Sequence, residues 1–73
     1  MGKNQFVVPA GDNWGVRGQG NSRLTVVTQT KAEAVARARE ISRNQQSELF
    51  ILGRNGRIQS RDSHGNDPFP PRG

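Results

Sequence analysis

Three arginines near the C-terminus, and the apolar residues just before them, have types and spacing that suggest binding chemistry. Arg54, Arg57 and Arg61 follow one another with no acidic residue between them. Guanidinium groups bind phosphates and carboxylates through paired hydrogen bonds, and they stack on aromatic planes. Phe50 adds a ring on which a nucleic-acid base can stack. This segment therefore predicts a binding surface.

A hairpin turn is needed to bring these side chains onto one face of a sheet. Asn55-Gly56 is typical of a two-residue type I′ turn, in which both central residues take positive φ. Such a turn would place Arg54 opposite Arg57 and Phe50 opposite Arg61. Because neighbouring strand residues point to opposite faces, the predicted binding face contains Phe50, Leu52, Arg54, Arg57, Gln59 and Arg61.

The segment from Glu48 to Gly53 is an apolar run of strand length, which is typical of a central strand. In the predicted register, Leu52 lies opposite Gln59 and Gly53 lies opposite Ile58. The face that is nearly uncharged should lie against a helix, and it contains Leu49, Ile51, Gly53, Ile58 and Ser60.

Three shorter strands are predicted upstream, over residues 5–9, 14–17 and 23–28. Trp14 and Val16 share one face by the two-residue period of a strand. Arg17 and Arg23 lie in the second and third of these strands and are expected to extend the basic surface.

The strongest helix signal begins at Thr30, which is followed three residues later by Glu33 in a capping-box pattern. The helix is predicted to end at Asn44 or Gln45, with an apolar stripe of Ala34, Val35, Ala38 and Ile41. Glu33 with Arg37 and Glu40 with Arg43 are spaced as ion pairs along the helix, so these charges compensate each other. We therefore do not expect this helix to read nucleic acid.

These elements predict a single α+β domain over residues 1–73. A small antiparallel sheet of four to five strands packs against one helix, in the order β-β-β-α-β-β. The order of strands within the sheet does not follow from the sequence. A proline-rich tail over residues 66–73 is expected either to offer a polyproline II segment to a partner or to fold back so that Phe69 covers apolar surface.

Catalytic and metal-binding interpretations of the polar C-terminal segment are weaker than a loop interpretation. Asp62, Ser63 and His64 are adjacent, so they point alternately apart and cannot converge as a nucleophilic triad does. Asp62, His64, Asn66 and Asp67 include a single imidazole and no second cluster, so no metal site is expected. Gly15, Gly18 and Gly20 lack the context of a phosphate-binding loop and are interpreted as turn and strand-end glycines.

Composition narrows the function classes further. The chain has 73 residues, a net charge of +5 and no cysteine, and nine of its eleven basic residues are arginine. The N-terminus lacks the apolar run of a signal peptide or membrane span, so a soluble, cytoplasmic protein without membrane contact is expected. So short a chain, with one histidine and six carboxylates, favours a binding protein without cofactors over an enzyme.

The order of motifs resembles a bacterial family of short proteins catalogued as a domain of unknown function. The motifs are Phe-Val-Val-Pro, Trp-Gly-Val, Thr-Lys-Ala-Glu-Ala-Val and the C-terminal run Gly-Arg-Asn-Gly-Arg-Ile to Asp-Ser-His-Gly-Asn-Asp-Pro-Phe-Pro-Pro. The resemblance covers about residues 6 to 73. It implies a compact single domain from a bacterium or phage, and it implies no activity, cofactor or catalytic residue.

Two functions remain open from the sequence. In the first, the arginine-bearing face binds DNA or RNA weakly through Arg54, Arg57, Arg61, Phe50 and Leu52, with Arg17 and Arg23 adding charge. In the second, the same face is a protein interface, most simply of a homodimer, since an uncovered apolar sheet face favours burial.

Overall fold

The computed structural model describes residues 2–63, in which five strands and one helix form an α+β domain. The elements are β1 (Gln5–Ala10), β2 (Asn13–Gly18), β3 (Val26–Thr28), α1 (Lys31–Gln45), β4 (Glu48–Leu52) and β5 (Ile58–Ser63). The predicted order β-β-β-α-β-β is confirmed. The tail predicted over residues 66–73 lies outside the described residues.

All five strands belong to one sheet with the order β3-β2-β1-β4-β5. Three of the four neighbouring pairs are antiparallel. The exception is the central pair, in which β1 and β4 run parallel, with Gln5 opposite Leu49 and Val7 opposite Ile51. Parallel neighbours need a crossover connection, and α1 lies within the connection between these two strands. The predicted antiparallel sheet is therefore confirmed for three pairs, and the parallel pair of β1 with β4 departs from it.

Helix α1 is bounded by local caps at both ends. The Thr30 hydroxyl oxygen accepts a hydrogen bond from the Glu33 amide at 3.2 Å. At the other end, Gln46 takes a left-handed conformation with φ 52°, and the Ser47 amide donates to the Ser42 carbonyl at 3.0 Å. This is the Schellman arrangement, which satisfies the last carbonyls of a helix. The predicted start and end of the helix are confirmed.

The core lies between α1 and one face of the sheet. Ala34 and Ala38 are fully buried, and their small side chains let the helix approach the strands closely. Val35 and Ile41 pack at the edge of this core, so the predicted apolar stripe is confirmed. The buried hydrophobic residues of the described part are Val7, Trp14, Val16, Ala34, Ala38, Leu49 and Ile51.

The predicted two-residue turn between β4 and β5 is wrong, because the loop contains three residues. The Gly53 amide donates to the Arg57 carbonyl at 2.9 Å, and the Gly56 amide donates to the Gly53 carbonyl at 2.9 Å. Gly56 has φ 82°, whereas Asn55 does not take positive φ. The Asn55 side chain accepts from the Arg57 amide at 3.0 Å. This geometry matches the three-residue hairpin, in which a type I turn precedes a left-handed glycine.

A bulge in β5 then restores part of the predicted register. Leu52 lies opposite Ile58 and Ile51 lies opposite Ser60, which leaves Gln59 as the extra residue. The predicted pairs of Ile51 with Ser60 and Phe50 with Arg61 are therefore confirmed. The pairs predicted nearer the turn are wrong: Arg54 with Arg57, Gly53 with Ile58, and Leu52 with Gln59.

The three-residue loop also places two side chains on faces other than those predicted. Ile58, predicted against the helix, shares the opposite face with Leu52. Gln59, predicted on the binding face, lies over Gly53, because a Cβ atom at Gly53 would collide with its side chain. Its amide oxygen accepts from the Lys31 ammonium at 2.6 Å, which places Gln59 beside the start of α1.

Arg54 connects the two hairpins of the domain. Its guanidinium donates to the Gly11 carbonyl at 2.7 Å and lies 4.9 Å from the centre of the Trp14 ring. Lys31 approaches the same ring at 5.2 Å. Trp14 is 7% exposed, so these cations cover a core residue.

We expect Gly56→Ala to lower the free energy of unfolding. A Cβ atom in the left-handed conformation costs about 1–2 kcal/mol, and urea denaturation followed through Trp14 fluorescence measures the loss. Asn55→Asp is the control, because it keeps the oxygen that accepts from Arg57 and should change stability by less than about 0.5 kcal/mol. Equal stability of Gly56→Ala and the parent protein would contradict the left-handed glycine.

We expect Arg54→Ala to destabilise the fold by about 1 kcal/mol, because it removes a charged hydrogen bond and a cation–π contact. Emission of Trp14, the chain's one tryptophan, should also shift to longer wavelength as the ring becomes more exposed. Arg57→Ala provides the matched control, since the Arg57 side chain is exposed and makes no hydrogen bond, ion pair or ring contact within residues 2–63. If both variants behave alike, the contacts of Arg54 do not stabilise the domain.

Candidate functional site

The sheet has one face covered by α1 and one face that no helix of the described residues covers. The second is called the open sheet face below. Alternation along the strands places the core residues Val7, Val16, Leu49 and Ile51 under the helix and their neighbours on the other side. The open sheet face contains Phe6, Val8, Gly15, Arg17, Val27, Phe50, Leu52, Ile58 and Arg61.

Four of these residues form a line across four neighbouring strands. Phe6 on β1 lies opposite Arg17 on β2 and opposite Phe50 on β4. Phe50 in turn lies opposite Arg61 on β5. Residues paired in this way have neighbouring side chains on one face. We name the line Arg17–Phe6–Phe50–Arg61 the Arg–Phe ladder.

The two rings of the ladder stack on each other. Their centroids are 5.0 Å apart and their planes differ by 20°. The Arg17 guanidinium lies 5.8 Å from the centre of the Phe6 ring, and it donates to the Asn21 carbonyl at 3.4 Å. Arg17 is therefore held in place, and Phe6 has a neighbour on each side along the ladder.

Arg61 differs from Arg17 because its side chain is free. It is exposed, and within residues 2–63 it has no hydrogen bond, ion pair or ring contact. Phe50 is only partly buried, with Phe6 on one side and the strand bearing Arg61 on the other. The Arg61 end of the ladder is therefore the accessible end.

Apolar side chains surround the ladder. Leu52 and Ile58 form the next cross-strand pair beyond Phe50 and Arg61, and Ile58 is 57% exposed. On the other side, Leu24 lies over Gly15, where a Cβ atom would come within 2.8 Å of a Leu24 methyl group. The open sheet face is thus an apolar centre with an arginine on either side.

Within residues 2–63, neither arginine of the ladder forms an ion pair. The one ion pair within residues 2–63 joins Arg39 to Asp62 at 2.9 Å, on the helix side of the sheet. Glu48 is the acid that alternation assigns to the open sheet face. It lies at the end of β4 near Asn4, whose side chain accepts from the Glu48 amide at 3.0 Å.

The structure brings together four of the seven residues predicted to bind. Phe50, Leu52, Arg61 and Arg17 lie on the open sheet face. Arg54 lies instead against Trp14, and Arg57 is exposed in the hairpin next to Ile58. Arg23 is exposed in the connection between β2 and β3, which is a loop at this position because β3 begins only at Val26.

Five members of the open sheet face were not among the predicted binding residues: Phe6, Val8, Gly15, Val27 and Ile58. Phe6 alternates with Val7, so its orientation is readable from the sequence, but its position beside Phe50 depends on the parallel pairing of β1 and β4. Ile58 reaches this face because the loop between β4 and β5 contains three residues instead of the predicted two, which pairs Ile58 with Leu52.

The other sequence motifs have ordinary structural positions. Asp62 pairs with Arg39, and within residues 2–63 no three acidic or histidine side chains are grouped so that they could hold a metal ion. His64, Asn66 and Asp67 lie outside the described residues. Gly20 takes φ 86° after β2, as expected of a turn glycine. Across residues 2–63, no helix has the length and apolarity needed to cross a membrane.

Comparison with known proteins identifies relatives that are themselves uncharacterised. The family model described as "Uncharacterized protein conserved in bacteria (DUF2188)" matches residues 5–64. The chain is also similar to a protein of Bacillus subtilis (strain 168) named "Uncharacterized protein YdaT", with 29% identity over 66 residues. That match spans 90% of this chain but 44% of the relative, so the chain covers less than half of the relative's length.

No solved structure matches the chain. The family match covers most of the chain and includes every strand and the helix described above. The resemblance noted in the sequence is therefore confirmed at the level of the family: the chain belongs to the bacterial family DUF2188, whose function is uncharacterised.

Proposed function

We propose that this protein is a non-enzymatic binding module of the bacterial cytoplasm that binds nucleic acid through its open sheet face. The observation that carries the proposal is the Arg–Phe ladder, which combines cationic ends with an aromatic centre. Proteins that bind nucleic acids without strong sequence preference use this combination, because arginines attract the backbone and aromatic rings stack on bases.

The spacing of the ladder supports contacts with more than one phosphate. Its ends, Arg17 and Arg61, are separated by three strand-to-strand steps, or about 14 Å at the usual spacing of strands. Guanidinium groups at both ends would hold the backbone, while the bases lie toward the apolar centre. Arg23 and Arg57, both exposed, would add long-range attraction.

The arrangement of charge supports this face over the helix. The Arg–Phe ladder contains no acidic residue. On α1, by contrast, Glu33 lies one turn from Arg37, so these two charges compensate each other. Binding of this kind is weak, about 10⁻⁴ to 10⁻⁶ M when it is non-specific, and it weakens steeply as salt is added.

We expect the double variant Arg17→Ala/Arg61→Ala to bind a fluorescein-labelled oligonucleotide at least about tenfold more weakly than the parent in a low-salt anisotropy titration. The control is Arg37→Ala/Arg43→Ala, which removes the same charge from the helix and should lose about twofold or less. Circular dichroism verifies that both variants fold. Failure of the parent protein to bind DNA or RNA near ~100 μM would refute the proposal.

Homodimerisation is a second candidate, and the exposed aliphatic residues of the open sheet face favour it. Ile58 on β5 is 57% exposed and Val27 on β3 is 56% exposed, and both lie on this face. Exposed apolar groups of this kind gain free energy when a second copy covers them. Arginine and aromatic residues are also enriched at protein interfaces.

The second candidate predicts a dimer mass by light scattering, with Ile58→Glu shifting the equilibrium to monomer because a carboxylate would be buried. Ile58→Val is the matched control and should leave the mass unchanged, since it remains apolar. A monomer mass for the parent protein at about 1 mM, a concentration that populates even weak dimers, would remove this candidate.

A further inference from the structure

We infer that the nucleic acid bound by the open sheet face is single-stranded, with an unpaired base stacked on Phe50 and covered by Arg61. This inference rests on the proposed function and narrows its ligand class. It depends on the asymmetry between the two ends of the Arg–Phe ladder.

The two phenylalanine rings of the ladder differ in their neighbours. Phe6 has Phe50 as its neighbour at 5.0 Å on one side and Arg17 at 5.8 Å on the other. Phe50 has Phe6 on one side, and within residues 2–63 its ring has no aromatic or cationic neighbour on the β5 side. A flat apolar ligand can therefore stack on the β5 side of Phe50, whereas both sides of Phe6 already have such neighbours.

Arg61 is the residue placed to close over such a ligand. Arg61 lies directly opposite Phe50 in the neighbouring strand, and its exposed side chain has no hydrogen bond, ion pair or ring contact within the described part of the chain. A guanidinium plane stacks on aromatic rings and also binds phosphates. Arg61 can thus cover the second surface of a base that already rests on Phe50.

The residues around Phe50 favour a base over a phosphate as the group that binds beside this ring. Leu52 and Ile58 lie beside Phe50, and neither side chain can donate a hydrogen bond to replace the hydration that a phosphate buried against them would lose. A base has an apolar plane that such a surface accepts. In a duplex, neighbouring bases cover these planes, and the outer surface consists of sugar and phosphate. The apolar centre therefore fits an unpaired strand.

The same surroundings predict little sequence preference. Phe50, Leu52 and Ile58 carry no hydrogen-bonding side chain that could read the edge of a base. Stacking tolerates every base, and its strength varies with the area of the ring. We expect purines to bind somewhat better than pyrimidines. DNA and RNA share this chemistry, so either strand type can serve as the ligand.

The test compares a labelled 12-nucleotide strand, as DNA and as RNA, with the same DNA strand annealed to its complement. The parent protein should bind both single strands at least about tenfold more tightly than the duplex at equal salt, since stacking of one base contributes about that much. Phe50→Leu should lose about tenfold for single strands and little for the duplex. Phe50→Tyr keeps the ring and should retain parental affinity, which separates stacking from misfolding.

Charge-preserving variants test the role of Arg61. Arg61→Lys keeps the positive charge but removes the planar group, so single-strand affinity should fall about threefold or more while duplex affinity stays unchanged. Arg57→Lys, in the same hairpin but outside the open sheet face, should change neither.

The possible results distinguish a failure of the single-strand inference from a failure of nucleic-acid binding itself. Equal binding of duplex and single strands, or parental affinity of Phe50→Leu for single strands, would overturn the inference and leave nucleic-acid binding intact. Absence of binding to all three probes would overturn the inference together with the proposed function. A dimer that forms through this face and excludes every probe would also overturn it, in favour of the protein interface.

Discussion

The parallel pairing of β1 with β4 is the constraint on which the rest of the architecture depends. Two parallel neighbours cannot be joined by a tight turn, so the chain must cross over between them, and α1 lies in that crossover. The helix can cover only one side of the sheet. Its small residues Ala34 and Ala38 pack closely on that side, and no helix of residues 2–63 covers the ring pair and aliphatic residues of the other side.

The same pairing assembles the candidate site from distant parts of the chain. Phe6 and Phe50 meet only because β1 and β4 are neighbours. Arg17 on β2 lies beside Phe6, and Arg61 on β5 lies beside Phe50, so the two arginines form the ends of the ladder. The hairpin between β4 and β5 also determines which residue of β5 lies opposite Phe50. A three-residue loop alone would shift the pairing of β5, and the extra residue Gln59 compensates, so that Arg61 remains opposite Phe50.

Local sequence signals were sufficient to predict the order of helix and strands, but they were insufficient to predict which elements lie next to each other in space. Thr30 and Glu33 located the helix start, because capping is a property of adjacent residues. The Asn55-Gly56 dipeptide could not identify the turn, since a left-handed glycine at its second position serves both the two-residue and the three-residue loop. The place of Phe6 in the site required strand order, and the contact of Arg54 with Trp14 required the approach of two separate hairpins. Neither the strand order nor the contact of Arg54 with Trp14 produces a periodic pattern of residues in the sequence.

The ring pair at the centre of the sheet joins positions 6 and 50, which are separated by most of the described chain. Such a contact exists only after the whole domain has closed, because the strands on either side of the crossover must both be in place. Any molecule that bridges these rings would therefore bind the native state and not the unfolded chain. Its presence would raise the melting temperature in proportion to the logarithm of its concentration, so thermal shift screening offers a route to ligands that makes no assumption about their chemistry.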